Sequence, residues 1–264
     1  MAAARPGERD MQPNRLLEKL RAGAVCFGAA NTYPAPGIIE LMCKGWDFVW
    51  IDGQHGQFSY DGAMNAVRAA TGTGVDSLLR VPGHEHSPLC LYADMAPAAI
   101  LVPMVNTAAE AEHVVCGLRF PPRGVRSFGG RRMGDLYGRD YARDTELAVV
   151  VQIETVEAAA NADAIAAVEG VDCLFFGPDD MKMSLGLPMD TLVTGDQRLL
   201  DAMSRTAQAA RAHGRALGCA CPNADAARLA VSLGFRLIAS GGDAPFLRSG
   251  AAARLSELRS ACSA

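Results

Sequence analysis

Residues 148–154 read Ala148-Val149-Val150-Val151-Gln152-Ile153-Glu154, an apolar run that ends on a carboxylate. A second run, Val171-Asp172-Cys173-Leu174-Phe175-Phe176, leads into Gly177-Pro178-Asp179-Asp180. Apolar runs of this length between helical patterns are typical of parallel strands buried on both faces. Because ligands bind at the carboxyl ends of such strands, the sequence predicts that Glu154 and Asp180 converge on one cleft. Two carboxylates at a cleft suit a hard divalent cation.

Strand-like segments and helical patterns alternate along the chain. Eight candidate strands lie near residues 24–29, 47–52, 77–82, 98–103, 148–154, 171–176, 216–220 and 235–240. This alternation predicts a single (β/α)₈ TIM-barrel domain over residues 1–264. A doubly wound open sheet is the other α/β candidate, but the chain has neither a Gly-x-Gly-x-x-Gly after an early strand nor a Gly-x4-Gly-Lys-Ser/Thr.

Three segments between and after these strands carry further predictions. Residues 119–144 are glycine-rich and contain seven arginines, which predicts a long functional loop. The arginines could hold carboxylate or hydroxyl groups of a substrate, or contact acids of another subunit. Residues 155–169 predict one helix, and residues 244–264 predict a terminal helix.

Composition limits the function classes. The 264 residues are 50% hydrophobic and 20% charged, as in a soluble globular protein, and the net charge of −4 gives no footprint for nucleic acid. No apolar segment approaches the roughly 20 residues that span a bilayer, and the first ten residues lack a signal-peptide core, so we expect a cytoplasmic protein without membrane partners. The eight cysteines indicate a reducing compartment, although Cys219-x-Cys221 could form a metal or redox pair.

Polar side chains gather at or just beyond the ends of several predicted strands. They are Asp52, His55, Arg80, Gln152, Glu154, Asp179 and Asp180. A barrel brings these ends to one face, which predicts an active site there. A histidine at a strand end is suited to act as a general base, yet His55 could simply bridge a turn. Asp179 could be a helix N-cap, and a buried Arg80 would require an anionic partner.

Six motifs, in order, resemble those of the HpcH/HpaI class II pyruvate aldolases, which include 4-hydroxy-2-oxo-heptanedioate and 2-dehydro-3-deoxy-glucarate aldolases. The motifs are Ile51–Gly56, Leu79–Pro82, Leu101–Val105, Arg119–Arg126, Val151–Glu154 and Phe176–Gly186, and the match extends from about residue 15 to residue 255. The resemblance implies a metal-dependent lyase that reversibly adds pyruvate or a related 2-oxo acid, as its enolate, to an aldehyde.

The resemblance also implies how a metal and a 2-oxo acid are held. Glu154 and Asp180 would bind a divalent metal, Mg²⁺, Mn²⁺ or Co²⁺, with water in the remaining positions. Gln152 would lie beside the metal. The carboxylate of the 2-oxo acid would be received by the backbone of Gly177, Pro178 and Asp179.

Three further residues match catalytic positions of the family. His55 matches the general base, Asp94 the carboxylate that orients this base, and Arg80 the arginine that stabilises the enolate. The family's loop often carries a glutamate where this chain has Gln54, so a negative charge close to the metal is removed.

The resemblance implies a hexamer built from dimers that exchange the C-terminal helix. Leu247, Leu255 and Leu258 supply apolar side chains compatible with this docking.

Other functions use a similar scaffold. An oxaloacetate decarboxylase or a macrophomate-synthase-like enzyme would need the same metal and enolate, and a non-catalytic barrel would only bind a small acid. A Schiff-base aldolase needs a desolvated lysine. The chain has only Lys19, Lys44 and Lys182, and none of them lies at a predicted strand end.

Overall fold

Eight parallel strands close into one barrel in the computed structural model, which describes residues 14–263 except the side chain of Asp144. Each strand pairs with the next in chain order, and β8 pairs with β1. The strands are β1 (Cys26–Asn31), β2 (Phe48–Asp52), β3 (Asp76–Arg80), β4 (Ala99–Val102), β5 (Ala148–Ile153), β6 (Cys173–Phe176), β7 (Ala216–Ala220) and β8 (Leu237–Gly242). The predicted (β/α)₈ barrel is confirmed.

Helices surround the barrel and cover one of its ends. They are α1 (Arg15–Arg21), α2 (Pro36–Met42), α3 (Tyr60–Thr73), α4 (His86–Ala93), α5 (Ala108–Leu118), α6 (Arg131–Tyr137), α7 (Tyr141–Asp144), α8 (Val156–Ala160), α9 (Ala162–Ala167), α10 (Pro178–Leu185), α11 (Gln197–Ala212), α12 (Ala224–Ser232) and α13 (Asp243–Cys262), with a 3₁₀ turn at Val193–Gly195.

Two predictions about local structure are wrong. Residues 155–169 form two short helices, α8 and α9, because the chain leaves helical geometry at Asn161, whose side-chain amide donates to the Asn106 carbonyl at 2.8 Å. Residues 119–144 are not wholly irregular, since they contain α6 and α7. The first ten residues, for which the sequence predicts no signal peptide, and the predicted last helical residue Ala264 lie outside the described part.

Two apolar layers hold the barrel together. The outer faces of the strands pack on the helices, and side chains such as Phe48, Trp50 and Phe175 fill the interior. The interior is filled so tightly that a Cβ on Gly28 would lie 2.3 Å from the Phe48 ring, so only glycine fits there. The barrel is therefore a packed core whose ligand site must lie at an end of the strands.

Helix α1 closes the amino-terminal end of the barrel. Its Leu16, Leu17 and Leu20 are buried in the same apolar layer as the interior side chains. Asn14 caps α1, and its amide donates to the carbonyls of Ala98 at 2.6 Å and Glu146 at 3.1 Å, which precede β4 and β5. The carboxyl end of the strands is thereby left as the open mouth.

A buried aspartate joins the last strand to the first connection at this mouth. The Asp243 carboxylate is 1% exposed and accepts hydrogen bonds from Asn31 Nδ2 at 2.9 Å, the hydroxyl of Thr32 at 2.8 Å and the backbone N–H groups of Thr32 and Tyr33, both at 2.8 Å. A buried carboxylate requires such donors. Asp243 therefore fixes the seam where the barrel closes.

Helix α13 leaves the barrel after Asp243 with little cover. From Pro245 to Ser263 every residue is exposed, including four large apolar side chains that are between 41% and 57% exposed: Phe246, Leu247, Leu255 and Leu258. Phe27, on the outer face of β1, is 45% exposed. Over residues 14–263, no helix has the length and apolarity needed to cross a membrane.

We expect Asp243→Ala to lower the free energy of unfolding by about 3 kcal/mol, because buried donors of Asn31 and the Thr32 backbone lose a charged acceptor. Urea denaturation followed by circular dichroism measures this loss. Asp225→Ala, which removes an exposed carboxylate beside Arg228, is the control and should cost less than about 1 kcal/mol. Equal costs for the two variants would contradict the assigned role of Asp243.

Candidate active site

A buried ion pair joins the ends of β2 and β3. Asp52 and Arg80 are directly paired in the sheet register, and Arg80 donates through Nε to Asp52 Oδ1 at 2.9 Å and through Nη2 to Oδ2 at 2.7 Å. The guanidinium also lies 4.8 Å from the Trp50 ring centroid. Burial alone would raise the pKa of Asp52, but the hydrogen bonds and charge of Arg80 outweigh it and hold this pKa below its ordinary value. The expected anionic partner of Arg80 is thus Asp52, and Nη1 is left for a ligand.

Gln152 and Glu154 lie on and just after β5, and both are buried, at 3% and 1% exposure. A Cβ on Gly177 would approach Gln152 Nε2 to 2.7 Å and Glu154 Oε2 to 2.8 Å, so this position tolerates no side chain. Among the described residues, neither Gln152 Oε1 nor Glu154 Oε2 has a hydrogen-bond partner. Buried unpaired oxygens are costly and mark a place where a ligand is required.

The other oxygen of Glu154 is held by an unusual backbone conformation. Met104 has a positive φ of 57°, and its N–H donates to Glu154 Oε1 at 2.8 Å. A methionine rarely adopts this left-handed conformation, which costs of order 1 kcal/mol. Such strain at a cleft is typical of a functional site.

Burial raises the pKa of Glu154 to about 7. The neighbouring carboxylate of Asp180 raises it further, whereas the Met104 N–H and the charge of Arg80 act in the opposite direction. Glu154, Asp180 and Arg80 are therefore close enough to interact electrostatically. Asp180 itself is exposed on the first turn of α10.

The donor set fits a divalent cation. Glu154 offers a buried unpaired oxygen, and Asp180 adds a second carboxylate beside it. Across residues 14–263, no group of three or more His, Cys, Asp or Glu side chains is arranged to hold a metal. Two hard oxygen ligands completed by water or substrate are compatible with Mg²⁺ and similar ions, which keep several waters. A cation here would also replace the proton that the raised pKa of Glu154 favours.

The loop after β2 carries the candidate base. Asp52 Oδ1 accepts the backbone N–H groups of Gln54 and His55, both at 3.1 Å, which folds the loop back over the strand end. His55 is exposed. Gln54 Oε1 is buried and has no hydrogen-bond partner in the described part of the chain. The loop thus holds the backbone of an exposed histidine next to the Asp52–Arg80 pair.

Asp94 contacts the segment that follows α5. Its carboxylate accepts a hydrogen bond from Arg126 Nη2 at 2.6 Å and lies 2.7 Å from where a Gly130 Cβ would be. Within residues 14–263, no hydrogen bond joins Asp94 to His55. The contacts of Asp94 therefore fix the segment that follows α5.

The start of α10 presents backbone donors to the cleft. Its N-cap Gly177 makes no side-chain cap bond, Pro178 is the first helical residue, and the next N–H groups belong to Asp179 and Asp180. The Asp179 side chain does not cap the helix, because it accepts instead from Lys182 Nζ at 2.9 Å. Unpaired N–H groups at a helix start favour an anion.

Comparison with known proteins gives the family. The model of the HpcH/HpaI aldolase/citrate lyase family matches residues 31–249. The chain belongs to this family. A hydroxypyruvate/pyruvate aldolase of Delftia acidovorans is 32% identical over 252 residues, or 93% of each chain. A 5-keto-4-deoxy-D-glucarate aldolase of Shigella boydii is 30% identical over 242 residues, covering 90% of this chain and 93% of the relative.

Solved structures agree with this assignment. A HpcH/HpaI aldolase/citrate lyase family protein from Burkholderia cenocepacia superposes with a TM-score of 0.86 at 28% identity, over 94% of this chain and 100% of the other. The resemblance seen in the sequence motifs is confirmed. Family membership and the names of its relatives indicate an aldolase or lyase.

The arginine-rich segment of this HpcH/HpaI chain lies away from the mouth. Arg119 donates to the Leu147 carbonyl at 2.6 Å and pairs with Asp172 at 3.2 Å, and both partners precede strands at the amino-terminal end. Arg132 donates to the Met95 carbonyl at 2.9 Å. These arginines hold the barrel wall and do not converge on the strand ends.

Sequence reasoning missed three residues of the site. Lys182 is 8% exposed and ties Asp179 to the Met189 carbonyl, a contact that its spacing of three residues from Asp179 could have suggested. Trp50 lies two residues before Asp52 and therefore on the same strand face, because side chains of a strand alternate between its two faces. This alternation could have indicated Trp50. No sequence signal indicates the conformation of Met104.

In metal-free protein, we expect Glu154→Gln to increase the free energy of unfolding at pH 8 by up to about 3 kcal/mol and much less at pH 5. The pKa of Glu154 rises from 4.5 to about 7 on folding, so the folded state binds more protons between these values and loses stability as pH increases through them. Urea denaturation with EDTA measures the effect. Glu157→Gln, which changes an exposed acid on α8, is the control. A gain in the free energy of unfolding of Glu154→Gln that does not depend on pH would contradict the raised pKa of Glu154.

Proposed function

We propose that this protein is a divalent-metal-dependent aldolase that reversibly adds pyruvate, or a related 2-oxo acid, as its enolate to an aldehyde. The observation that carries the proposal is the buried Glu154, whose Oε2 has no partner among the described residues although Asp180 and Arg80 lie within electrostatic reach. An acid in this position requires a proton or a cation, and a cleft with both carboxylates and a fixed guanidinium suits enolate chemistry.

Glu154 and Asp180 would hold Mg²⁺, Mn²⁺ or Co²⁺, with the buried Gln152 beside them. When bound, the ion supplies Lewis-acid polarisation of the keto group, which makes the C3 protons of the 2-oxo acid acidic. Gly177 keeps this space open, because any side chain there would meet Gln152 and Glu154.

The carboxylate of the 2-oxo acid would bind at the start of α10. The uncapped N–H groups of Asp179 and Asp180 and the helix dipole favour an anion there. The buried Pro178 fixes the direction of the first turn, while the Asp179 side chain is held away by Lys182.

Arg80 would stabilise negative charge on the enolate oxygen. Its two hydrogen bonds to Asp52 fix the guanidinium before the substrate arrives, so little reorganisation is needed when charge develops. His55 would take the proton from C3 and, in the addition direction, return a proton to the aldehyde oxygen. In the described part of the chain Asp94 makes no hydrogen bond to His55, and its bond to Arg126 supports a structural role.

We expect the protein to exchange the methyl protons of pyruvate with D₂O only when a divalent metal is present. Proton NMR follows the loss of the methyl signal in EDTA-treated protein before and after Mg²⁺, Mn²⁺ or Co²⁺ is added. Glu154→Ala should slow exchange at least 100-fold, because it removes the buried ligand, whereas Glu157→Ala should not. Absence of exchange with all three metals would overturn the proposal.

We further propose that the chain forms a homo-oligomer, a hexamer by family resemblance, in which α13 docks on a second copy. Four large apolar side chains of α13 and Phe27 on β1 are exposed, and exposed apolar side chains on one element favour a protein–protein contact.

The eight free cysteines, five of them buried, support a reducing compartment such as the cytoplasm.

We expect Leu255→Asp to reduce the oligomer to a smaller species, because the charge would be buried at the docking surface. Light scattering coupled to gel filtration gives the mass. Arg254→Asp changes a neighbouring exposed residue of α13 and serves as the matched control. An unchanged mass for Leu255→Asp would argue against docking through this face.

A further inference from the structure

The open mouth of the barrel is poor in free positive charge, and we infer that the aldehyde accepted there carries an uncharged apolar chain rather than a second carboxylate. This inference rests on the proposed aldolase function and names the acceptor class. It depends on four features of the mouth. Its connections lack lysine and arginine, nearby cations are paired, further acids lie on the same face, and apolar side chains are exposed along one side.

The connections that form the mouth contain no lysine or arginine. They join each strand to the following helix and comprise residues 32–35, 53–59, 81–85, 103–107, 154–155, 177 and 221–223, while β8 runs directly into α13. Residues 186–196, which return the chain from α10 to the start of α11, also contain no lysine or arginine. A carboxylate-bearing acceptor would therefore find no cation on these segments.

Three cations close to the mouth are already paired. Arg80 makes two hydrogen bonds to Asp52, Lys182 pairs with Asp179 at 2.9 Å, and Arg198, at the start of α11, pairs with Asp196 at 2.8 Å. The one free edge of Arg80 is taken by the enolate in the proposed reaction. A further anion would have to break one of these pairs.

Acids predominate on the same face. Beyond Glu154 and Asp180, whose charges a bound divalent cation would balance, the mouth carries the acids Glu85 and Asp190, and no arginine or lysine on its connections offsets them. Asp196 is already paired with Arg198. Once the donor carboxylate is bound, a second carboxylate would enter a partly desolvated cleft that has no free cation on its connections. Placing an unpaired charge in such a cleft is unfavourable, and like charges discriminate strongly against a ligand.

Exposed apolar side chains line one side of the mouth. Met104, Val156, Met183, Met189 and Leu192 are between 42% and 65% exposed. Backbone hydrogen bonds fix three of the segments that carry them. The Met104 N–H donates to Glu154, and the Met189 carbonyl accepts from Lys182. The Val156 N–H donates to Ser184, the residue after Met183, at 3.0 Å.

These five side chains, the apolar rim, lie on segments that follow β4, β5 and β6, at the same end of the barrel as the two carboxylates. Methionine adapts its shape to varied aliphatic and aromatic groups, so the rim suits the carbon chain of an aldehyde.

A matched pair of aldehydes tests the inference. Butanal and 4-oxobutanoate have the same four-carbon length and differ in a terminal methyl or carboxylate group. With pyruvate as donor and metal present, we expect kcat/KM for butanal to exceed that for 4-oxobutanoate at least tenfold. Equal or faster reaction of 4-oxobutanoate would overturn the inference, because it would require a cation that this face of the chain lacks.

A new cation on the rim should change the preference. We expect Met189→Arg to shift the ratio of kcat/KM values toward 4-oxobutanoate at least fivefold. Leu41→Arg adds the same charge at a residue of α2 that is 79% exposed, and the ratio should stay as in the wild type. Equal shifts in both variants would show a bulk charge effect and overturn the assignment of the rim.

Proton exchange at pyruvate distinguishes a failure of the proposed aldolase function from a failure of the proposed acceptor class. The exchange reaction needs no aldehyde, so it reports enolate formation alone. Exchange with a preference for 4-oxobutanoate would reject only the apolar acceptor. Failure of exchange itself would reject the aldolase function on which the inference rests.

Discussion

A carboxylate buried without a countercharge is the most demanding feature of this barrel. Glu154 is 1% exposed, and its pKa of about 7 expresses the cost of burying its charge. The residues around Glu154 hold its side chain in this buried position. Met104 adopts a strained backbone to donate one hydrogen bond, and Gly177 allows β6 to pass against the carboxylate. The result is a buried carboxylate oxygen without a hydrogen-bond partner in the described part of the chain.

The barrel makes such a site possible because the residues that stabilise the fold and the residues of the candidate site lie in different parts of it. Apolar residues fill the interior below the mouth, and the leucines of α1 close the far end. Asp243 locks the seam between β8 and β1 with hydrogen bonds to buried donors. The strained Met104 and the buried, unpaired oxygen of Glu154 lie at the carboxyl ends of β4 and β5, where the rest of the fold can support them.

Periodicity and strand ends were sufficient to predict the barrel and the side chains that Asp52, Arg80, Gln152 and Glu154 bring to its mouth. Long buried strands carry a strong signal, and parallel order follows from it. The position of Asp94 was not predictable in the same way, because its contact with Arg126 depends on how a long connection folds back. The break at Asn161 likewise depends on a tertiary hydrogen bond that local helix propensity does not contain.

The ion pairs that shape the mouth also leave few charges free for another ligand. Arg80, Lys182 and Arg198 are each engaged by a protein acid. In the proposed reaction a divalent cation would balance the charges of Glu154 and Asp180, and the start of α10 would receive the carboxylate of the 2-oxo acid. The remaining surface offers methyl and thioether groups, so selectivity for an uncharged second substrate would follow from ion pairs that the site already contains.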